Sequence, residues 1–214
     1  MRKQLNILFL FCFALFTQAQ VINRPFIWFG PCDSVNVHGL NFTPFVYRIP
    51  EKVTVNGINF EIIGLPIFLF MIPEDPSDRD DELYILNEFN VNGISLSPAG
   101  LMHSGKVNGL AITPLYSFIH QVNGINLSLL FCITLKTNGL SYSFVNSAVE
   151  MKGVQLGMVT NSKKILGLQM GVVNKTRELY GLQFGFYNRT KQIKGLQIGL
   201  WNVNDKRSLP ILNW

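Results

Sequence analysis

The chain has 214 residues, of which 48% are hydrophobic and 14% charged, and its formal net charge is +5 at pH 7. This length fits one domain with a sizeable core, and the Lys and Arg residues lack the clustering that marks a nucleic-acid-binding surface. The composition therefore predicts a single domain that does not bind nucleic acid.

The first predicted element is a secretory signal peptide at residues 1–19. The opening stretch "MRKQLNILFLFCFALFTQAQ" has two basic residues, then an apolar run, then a short segment that ends in Ala19. The apolar run of about ten residues is too short to cross a bilayer as a helix, which needs about twenty. Cleavage after Ala19 would leave residues 20–214 as the exported domain, with a net charge of +3 because two basic residues are lost.

A glycine recurs along the rest of the chain in "NGI", "NGL" and "KGLQ" motifs. The interval between successive glycines is 18 and then 36 residues near the N-terminus, and it settles to a constant 14 near the C-terminus. These glycines are Gly39, Gly57, Gly93, Gly109, Gly124, Gly139, Gly153, Gly167, Gly181 and Gly195. Self-similarity at a fixed period indicates a repeat architecture, here about ten 14-residue-type repeats with one strand each.

Apolar and polar residues alternate after each glycine. The first and third places are apolar or aromatic, the second holds Asn, Ser, Ala or Gln, and the fourth holds mostly Thr, Ser or Gly. Period-two alternation predicts a β-strand with one apolar face, and the glycines would be costly inside a helix. We expect the apolar columns to form the buried core, with these members in the last repeats: Leu168, Met170, Leu182, Phe184, Leu196 and Ile198.

An acidic insertion at about residues 73–86 is the largest interruption of the period. Its carboxylates are candidate calcium ligands, because calcium binds six to eight oxygen atoms and carboxylates commonly supply them. The stretch "DPSDRDDEL" lacks the central Gly and the well-placed terminal Glu of a calcium loop, so a solvated acidic loop is the favoured interpretation. The candidate ligands are Asp75, Asp78, Asp80 and Asp81.

Other chemical motifs are absent from the sequence. The three histidines are isolated from carboxylates and cysteines at ligand spacing, and there is no nucleophile elbow or phosphate-binding loop. We therefore expect no enzyme and no cofactor. Cys32 and Cys132 leave two interpretations open, a disulfide in an oxidising compartment or a buried free thiol at Cys132.

Asparagines recur seven places after the glycine in the last repeats. Asn174, Asn188 and Asn202 each precede a charged or polar segment such as "KTRE". Asparagine tolerates turn conformations, and stacked copies can bond to one another, so we expect these residues to form turns and amide ladders.

Two architectures fit this pattern. In a parallel β-solenoid, like side chains stack on one another from coil to coil. The alternative is an antiparallel meander or an outer-membrane β-barrel whose apolar face contacts lipid. The apolar columns span only about 13 Å of strand, at about 3.3 Å per residue, which is half the apolar height of a barrel wall. The solenoid is therefore favoured.

Four closely similar octets lie within residues 151–214: "GVQLGMVT", "GLQMGVVN", "GLQFGFYN" and "GLQIGLWN". These C-terminal repeats resemble a known family, the bacterial cell-surface repeat proteins with tandem GLQxGxxN motifs. The earlier repeats carry "VNGI" instead and join the family by their period alone. The resemblance implies a secreted or surface-exposed protein, and it implies no activity, ligand or catalytic residue.

The sequence therefore predicts an exported, non-enzymatic repeat protein of a Gram-negative bacterium. We expect a scaffold or adhesion role at the cell surface, outer membrane or periplasm, with an envelope partner that the sequence does not identify. Membrane association stays open, and the alternative function is a small outer-membrane barrel or channel.

Overall fold

This computed structural model describes residues 22–29, 35–45, 52–63 and 88–214, and these residues form an all-β structure with no helix. The predicted signal peptide, Cys32 and the acidic insertion with its candidate calcium ligands lie outside the described residues. The strands are β1 (Ile22–Phe29), β2 (Val35–Phe45), β3 (Lys52–Ile63), β4 (Glu88–Leu96), β5 (Leu101–Thr113), β6 (Tyr116–Ser128), β7 (Phe131–Tyr142), β8 (Val145–Val203) and β9 (Ser208–Asn213).

The strands follow one another across the sheet in chain order. Every pair of neighbours from β1 to β8 is parallel. Consecutive strands can pair in parallel only if the chain travels back between them, and a coil does so by completing one turn. The pairing confirms the parallel β-solenoid and rules out the antiparallel arrangement of these strands.

β8 is one continuous extended segment of 59 residues that winds through several coils. Its coils stack at a spacing of 14 residues, as the hydrogen bond between Gln183 and Gln169 shows. Asn174, Asn188 and Asn202 were expected to form turns, but they are extended backbone within β8, so that part of the prediction is wrong. A coil can change direction at single residues without leaving the extended conformation, which is why no loop separates these repeats.

The repeat glycines form one column along the solenoid. They pair directly with one another from Gly39 to Gly153, and nine of the ten have φ between 124° and 144°. A Cβ at Gly167 would lie 2.0 Å from the carbonyl oxygen of Gly153 in the coil before it. The column is therefore glycine because both the backbone conformation and the space exclude a side chain.

Burial in the repeat that begins at Gly181 indicates a three-sided coil. Inward side chains stand at places 2, 7, 9 and 12 after the glycine, namely Gln183, Asn188, Thr190 and Ile193. Two successive residues face outward at places 5 and 6, and again at places 10 and 11. The alternation is broken at these two points and at the glycine, and we assign the three corners of the coil to them.

The columns predicted to be the core face outward instead. Met170, Leu182 and Phe184 are 39%, 45% and 50% exposed, whereas the side chain of Gln183 between them is 0% exposed. The remaining predicted members are only half-buried: Leu168, Leu196 and Ile198. The prediction is wrong because alternation defines two faces of a strand without saying which one is inside.

The apolar core lies instead at place 12, two residues before each glycine. Its buried members are Val37, Val55, Val91, Val107, Val122, Met151, Ile165 and Leu179. They belong to two clusters, one in the N-terminal coils and one in the C-terminal coils. Thr137 occupies the same column between the two clusters and is also buried.

β9 closes the C-terminal end of the solenoid. It reverses direction and pairs antiparallel with the last part of β8, and Asn213 lies opposite Gln197. The Asn213 Nδ2 group donates to Gln197 Oε1 at 3.0 Å, so Asn213 takes the position that a further Gln would occupy. The antiparallel strand thus satisfies the last buried amide and covers part of the open edge.

Replacing Gly167 with Ala tests the glycine column. We expect the free energy of unfolding to fall by about 3 kcal/mol or more, because the new Cβ meets backbone and the positive φ is strained. Thermal unfolding followed by circular dichroism measures the change. Lys163→Ala, at an exposed position, should change the free energy of unfolding by less than about 0.5 kcal/mol. A Gly167→Ala protein that melts with the wild type would contradict the column.

Candidate interaction surface

A ladder of glutamine side chains occupies the interior of the C-terminal coils. Gln169, Gln183 and Gln197 each donate from Nε2 to the Oε1 of the glutamine one coil earlier, at 3.1, 2.6 and 2.7 Å. Gln155 begins the ladder, and all four glutamines are 0% exposed. Buried amides are stable only when hydrogen-bonded, and stacking in register supplies a partner at every step.

The predicted asparagine ladder is confirmed, and it too is internal. Asn174 Nδ2 donates to Asn188 Oδ1 and Asn188 Nδ2 donates to Asn202 Oδ1, both at 2.7 Å. The same amides also bond to main-chain carbonyls, such as Phe184 O at 2.9 Å from Asn174 Nδ2. Ser162 and Thr176 form a parallel hydroxyl column at place 9. Two of the three sides of the coil are therefore polar on the inside.

The residues at places 1, 3 and 5 form the outer surface of one side of the solenoid, which we call the apolar face. Phe186 and Leu200 at place 5 are 61% and 66% exposed, and Tyr142 at place 3 is 46% exposed. The face continues into the N-terminal coils, where Leu40 and Ile125 are 42% and 43% exposed. Apolar side chains thus cover the outside of the side that is lined within by glutamine.

Like residues stack on one another along the apolar face. The rings of Phe42 and Phe60 lie 5.5 Å apart between centroids, with 6° between their planes. Each side chain is covered by its neighbours in the coils before and after it, which explains exposures near one half. Stacking reduces the exposed apolar area but leaves the outermost surface of every column uncovered.

The dimensions of the apolar face lie at the upper end of what single soluble domains expose. Nine steps separate the ten stacked glycines, which at about 4.8 Å per step gives about 43 Å along the axis. Places 1 to 5 add about 13 Å across, so the face covers on the order of 600 Å². The largest apolar patch of a typical monomer is about 300–600 Å² and is often functional.

Basic residues lie on the other two sides of the C-terminal coils. Residues 145–214 contain ten Lys or Arg and three Asp or Glu, a net charge of ten minus three, or +7. These basic residues are Lys152, Lys163, Lys164, Lys175, Arg177, Arg189, Lys191, Lys194, Lys206 and Arg207. In the C-terminal half of the solenoid, the apolar face therefore belongs to a segment with a strong net positive charge.

Two rims border the apolar face. The glycine rim is the outward column at place 13, where the Lys194 ammonium lies 5.2 Å from the ring centre of Tyr180. Lys152 is exposed in the same column. The aromatic rim is the outward column at place 6, which includes Trp201, 48% exposed, and the half-buried Tyr187. Both rims thus combine amphipathic aromatic rings with neighbouring basic groups.

An exposed asparagine ladder continues the glycine rim into the N-terminal coils. Asn92, Asn108, Asn123 and Asn138 each donate from Nδ2 to the asparagine one coil earlier, over distances of 2.6 to 2.8 Å. Since the amides bond mainly to each other, the ladder is explained by coil stacking. It was hidden in the sequence within the "NG" motif that precedes each apolar column.

Two buried ionisable groups lie in the described chain away from these surfaces. Glu61 is 2% exposed and accepts a hydrogen bond from Asn59 Nδ2 at 2.9 Å. Burial, with a smaller contribution from the charge of Glu61, raises the pKa of Tyr116. Cys132 is a buried free thiol, as the second interpretation of the sequence expected.

The described part of the chain holds no group of three or more His, Cys, Asp or Glu residues placed to bind a metal ion. Within the same residues no helix has the length and apolar character needed to cross a membrane. No protein-family model matches the chain, and comparison with curated proteins and with solved structures finds no match. The similarity to GLQxGxxN proteins stays a prediction from the sequence.

Replacing Gln183 with Ala tests which side of the strand is inside. The change removes the donor to Gln169 Oε1 and one of the two acceptors of Gln197 Nε2, which keeps its bond to Val203 O at 3.3 Å. Each hydrogen-bonding position left unsatisfied in the interior costs about 1–3 kcal/mol. We expect the free energy of unfolding to fall by about 2–5 kcal/mol in urea titrations. Leu182→Ala is the matched control at the adjacent outward position and should cost about 1 kcal/mol, since half of the side chain is already exposed. The reverse order of the two effects would overturn the assignment.

The alkaline stability of the protein should depend on Cys132. Burial raises the pKa of this thiol from 9.0 to about 11, while the hydrogen bond with Ser141 acts in the opposite direction. The unfolded thiol loses its proton first as the pH rises, so the contribution is intact below about pH 9 and is lost by about pH 11.

Urea unfolding between those pH values, for wild type and Cys132→Ala, measures this effect. The wild type should lose about 2 kcal/mol more than the variant over the interval, because a tenfold change in an acid dissociation constant corresponds to about 1.4 kcal/mol. All other ionisable groups are common to the two proteins, so the difference between them reports on Cys132. Parallel curves for the two would contradict the prediction.

Proposed function

We propose that this chain is an exported, non-enzymatic repeat protein that acts as an interaction scaffold at the envelope of a Gram-negative bacterium. The observation that carries the proposal is the apolar face, which runs along the stacked coils and is uncovered along its whole described length. Its side chains come from the most regular columns of the sequence. The regularity therefore extends to the outside of the coil as well as to its packing.

The interior gives no competing explanation for the repeats. The interior glutamine and asparagine amides of the C-terminal coils bond from one coil to the next, which supports a structural role for them. A solenoid whose interior amides bond to one another presents its remaining chemistry on the outside. Extended surfaces of this kind bind partners along their length in other repeat architectures.

Export is supported by the N-terminal stretch and by the resemblance of the C-terminal repeats to surface proteins. A protein with a large apolar outer face would associate indiscriminately if it remained free in solution. A location beside a membrane or another envelope component gives that face a partner. The sequence features and the surface of the coil thus favour the same setting.

Fractionation of a Gram-negative host that expresses the full chain tests this proposal. The processed protein should begin at Gln20 by mass spectrometry and should be retained in the envelope fraction. The triple variant Leu182→Ser, Phe184→Ser, Phe186→Ser should reduce that retention about tenfold, because it removes apolar contact area. The full chain with an uncleaved N-terminus in the cytosol would contradict export.

A matched triple variant at the opposite corner of the coil serves as control. Lys163→Ser, Lys191→Ser and Gln192→Ser change three exposed residues and leave the apolar face intact. Circular dichroism should show the same strand content in both variants. If the two variants are retained equally, the apolar face is not the interaction surface and the proposal fails.

A further inference from the structure

We infer that the apolar face is the site at which this protein lies on the surface of an anionic lipid bilayer. The inference rests on the proposed function and names the partner of the same face. It is drawn from the placement of apolar, aromatic and basic columns around one coil. A bilayer and a second copy of the chain are the two occupants that the shape and size of the face would accept.

The charge distribution favours the bilayer over a second copy. Basic residues flank the apolar face on both sides, with Lys152 and Lys194 on the glycine rim, and Lys175 and Arg189 two places beyond the aromatic rim. Two copies joined face to face with parallel axes would bring the cationic rims of the C-terminal coils together. With antiparallel axes, those rims would meet the neutral asparagine ladder of the N-terminal coils, which offers them no opposite charge. Like charges across an interface are unfavourable, whereas an anionic surface complements both rims at once.

The order of the residues across the rim matches the layers of a bilayer surface. In the coil that begins at Gly181, the outward residues along one side of the apolar face are apolar at place 5, aromatic at place 6 and basic at place 8. These three residues are Phe186, Tyr187 and Arg189. Trp and Tyr prefer the boundary between acyl chains and headgroups, and Lys and Arg interact with the anionic headgroups beyond it.

The C-terminal coils are expected to make the stronger contact. They carry the net charge of +7 and two of the most exposed side chains of the apolar face, Phe186 and Leu200. Trp214 is 58% exposed at the same end, and the Arg207 guanidinium lies 4.0 Å from the ring centre. Binding strength at an interface grows with buried apolar area and with charge attraction, and both are concentrated here.

Flotation of the purified full chain with lipid vesicles tests the inference. One set of vesicles is pure phosphatidylcholine, and the other contains about one third phosphatidylglycerol as the anionic lipid. We expect at least tenfold stronger binding to the anionic set, and weaker binding as salt rises, because screening shortens the reach of the charges. The apolar N-terminal run is common to all variants, so differences between variants report on the coil.

Two variants separate the apolar and the basic contributions. Phe184→Ser with Phe186→Ser should lower binding about tenfold, and Lys152→Gln with Lys194→Gln should lower it about fivefold for each charge removed. Lys163→Gln with Lys191→Gln is the matched control, because these exposed lysines stand at place 10, the corner opposite the apolar face. That pair should change binding about twofold or less. Urea titration confirms that every variant is folded.

The outcomes distinguish the inference from the proposed function. Two outcomes would overturn the inference. One is that the rim and corner lysine variants lower vesicle binding equally, and the other is that binding does not depend on the charge of the lipid. Envelope retention in cells without vesicle binding would mean that the partner is a protein, which overturns the inference and leaves the proposed function standing. A dimer in analytical ultracentrifugation that is lost with Phe184→Ser and binds no vesicles would identify a second copy as the occupant.

Discussion

Hydrogen bonds between the side-chain amides of successive coils are the interaction on which the rest of this structure depends. A carboxamide has both a donor and an acceptor, so identical residues stacked in register satisfy one another along the whole column. The arrangement works only if every coil has the same length. One inserted residue between Gln169 and Gln183 would move the later amide to the wrong face of its strand. This requirement explains why the last repeats keep an interval of 14 and why their glutamines do not vary.

The position of the amides decides the character of the surface. The interior of a three-sided coil is small, and the glutamine, asparagine and threonine columns fill two of its sides. The apolar residues that alternate with glutamine consequently stand outside, where coil-to-coil stacking covers about half of each. A polar interior has thus produced an apolar exterior, and the basic residues are confined to the remaining sides. The interaction surface is a direct consequence of how the interior is satisfied.

The N-terminal coils fill the same interior column with a less regular set of residues. The column that holds glutamine later holds Asn41, Asn59, Ser95 and Ala111 here, and the buried valines at place 12 carry more of the packing. Coils of 15 and 16 residues fit the stack because the pairing register shifts within a strand, as it does between His103 and Lys106 of β5. In β1, Phe26 pairs with Gly39 and itself has a φ of 83°. The first strand therefore joins the glycine column without a glycine. Neither that strand nor the antiparallel closing strand has a signal in the repeat pattern.

The sequence by itself determined the period, the strand character and the residues that stack. The glycine spacing predicted the repeat and the alternation predicted extended chain, because both are patterns along the chain itself. The asparagines predicted a ladder, because identical residues at a fixed interval stack on one another once the repeats stack in register. Only the tertiary structure decided that Gln183 lies inside and Leu182 outside. A single strand has two faces, and the preference of apolar groups for the interior is overridden when the polar face can pair with copies of itself in the neighbouring coils. Those partners exist only after the coils have stacked, so no single repeat could disclose them.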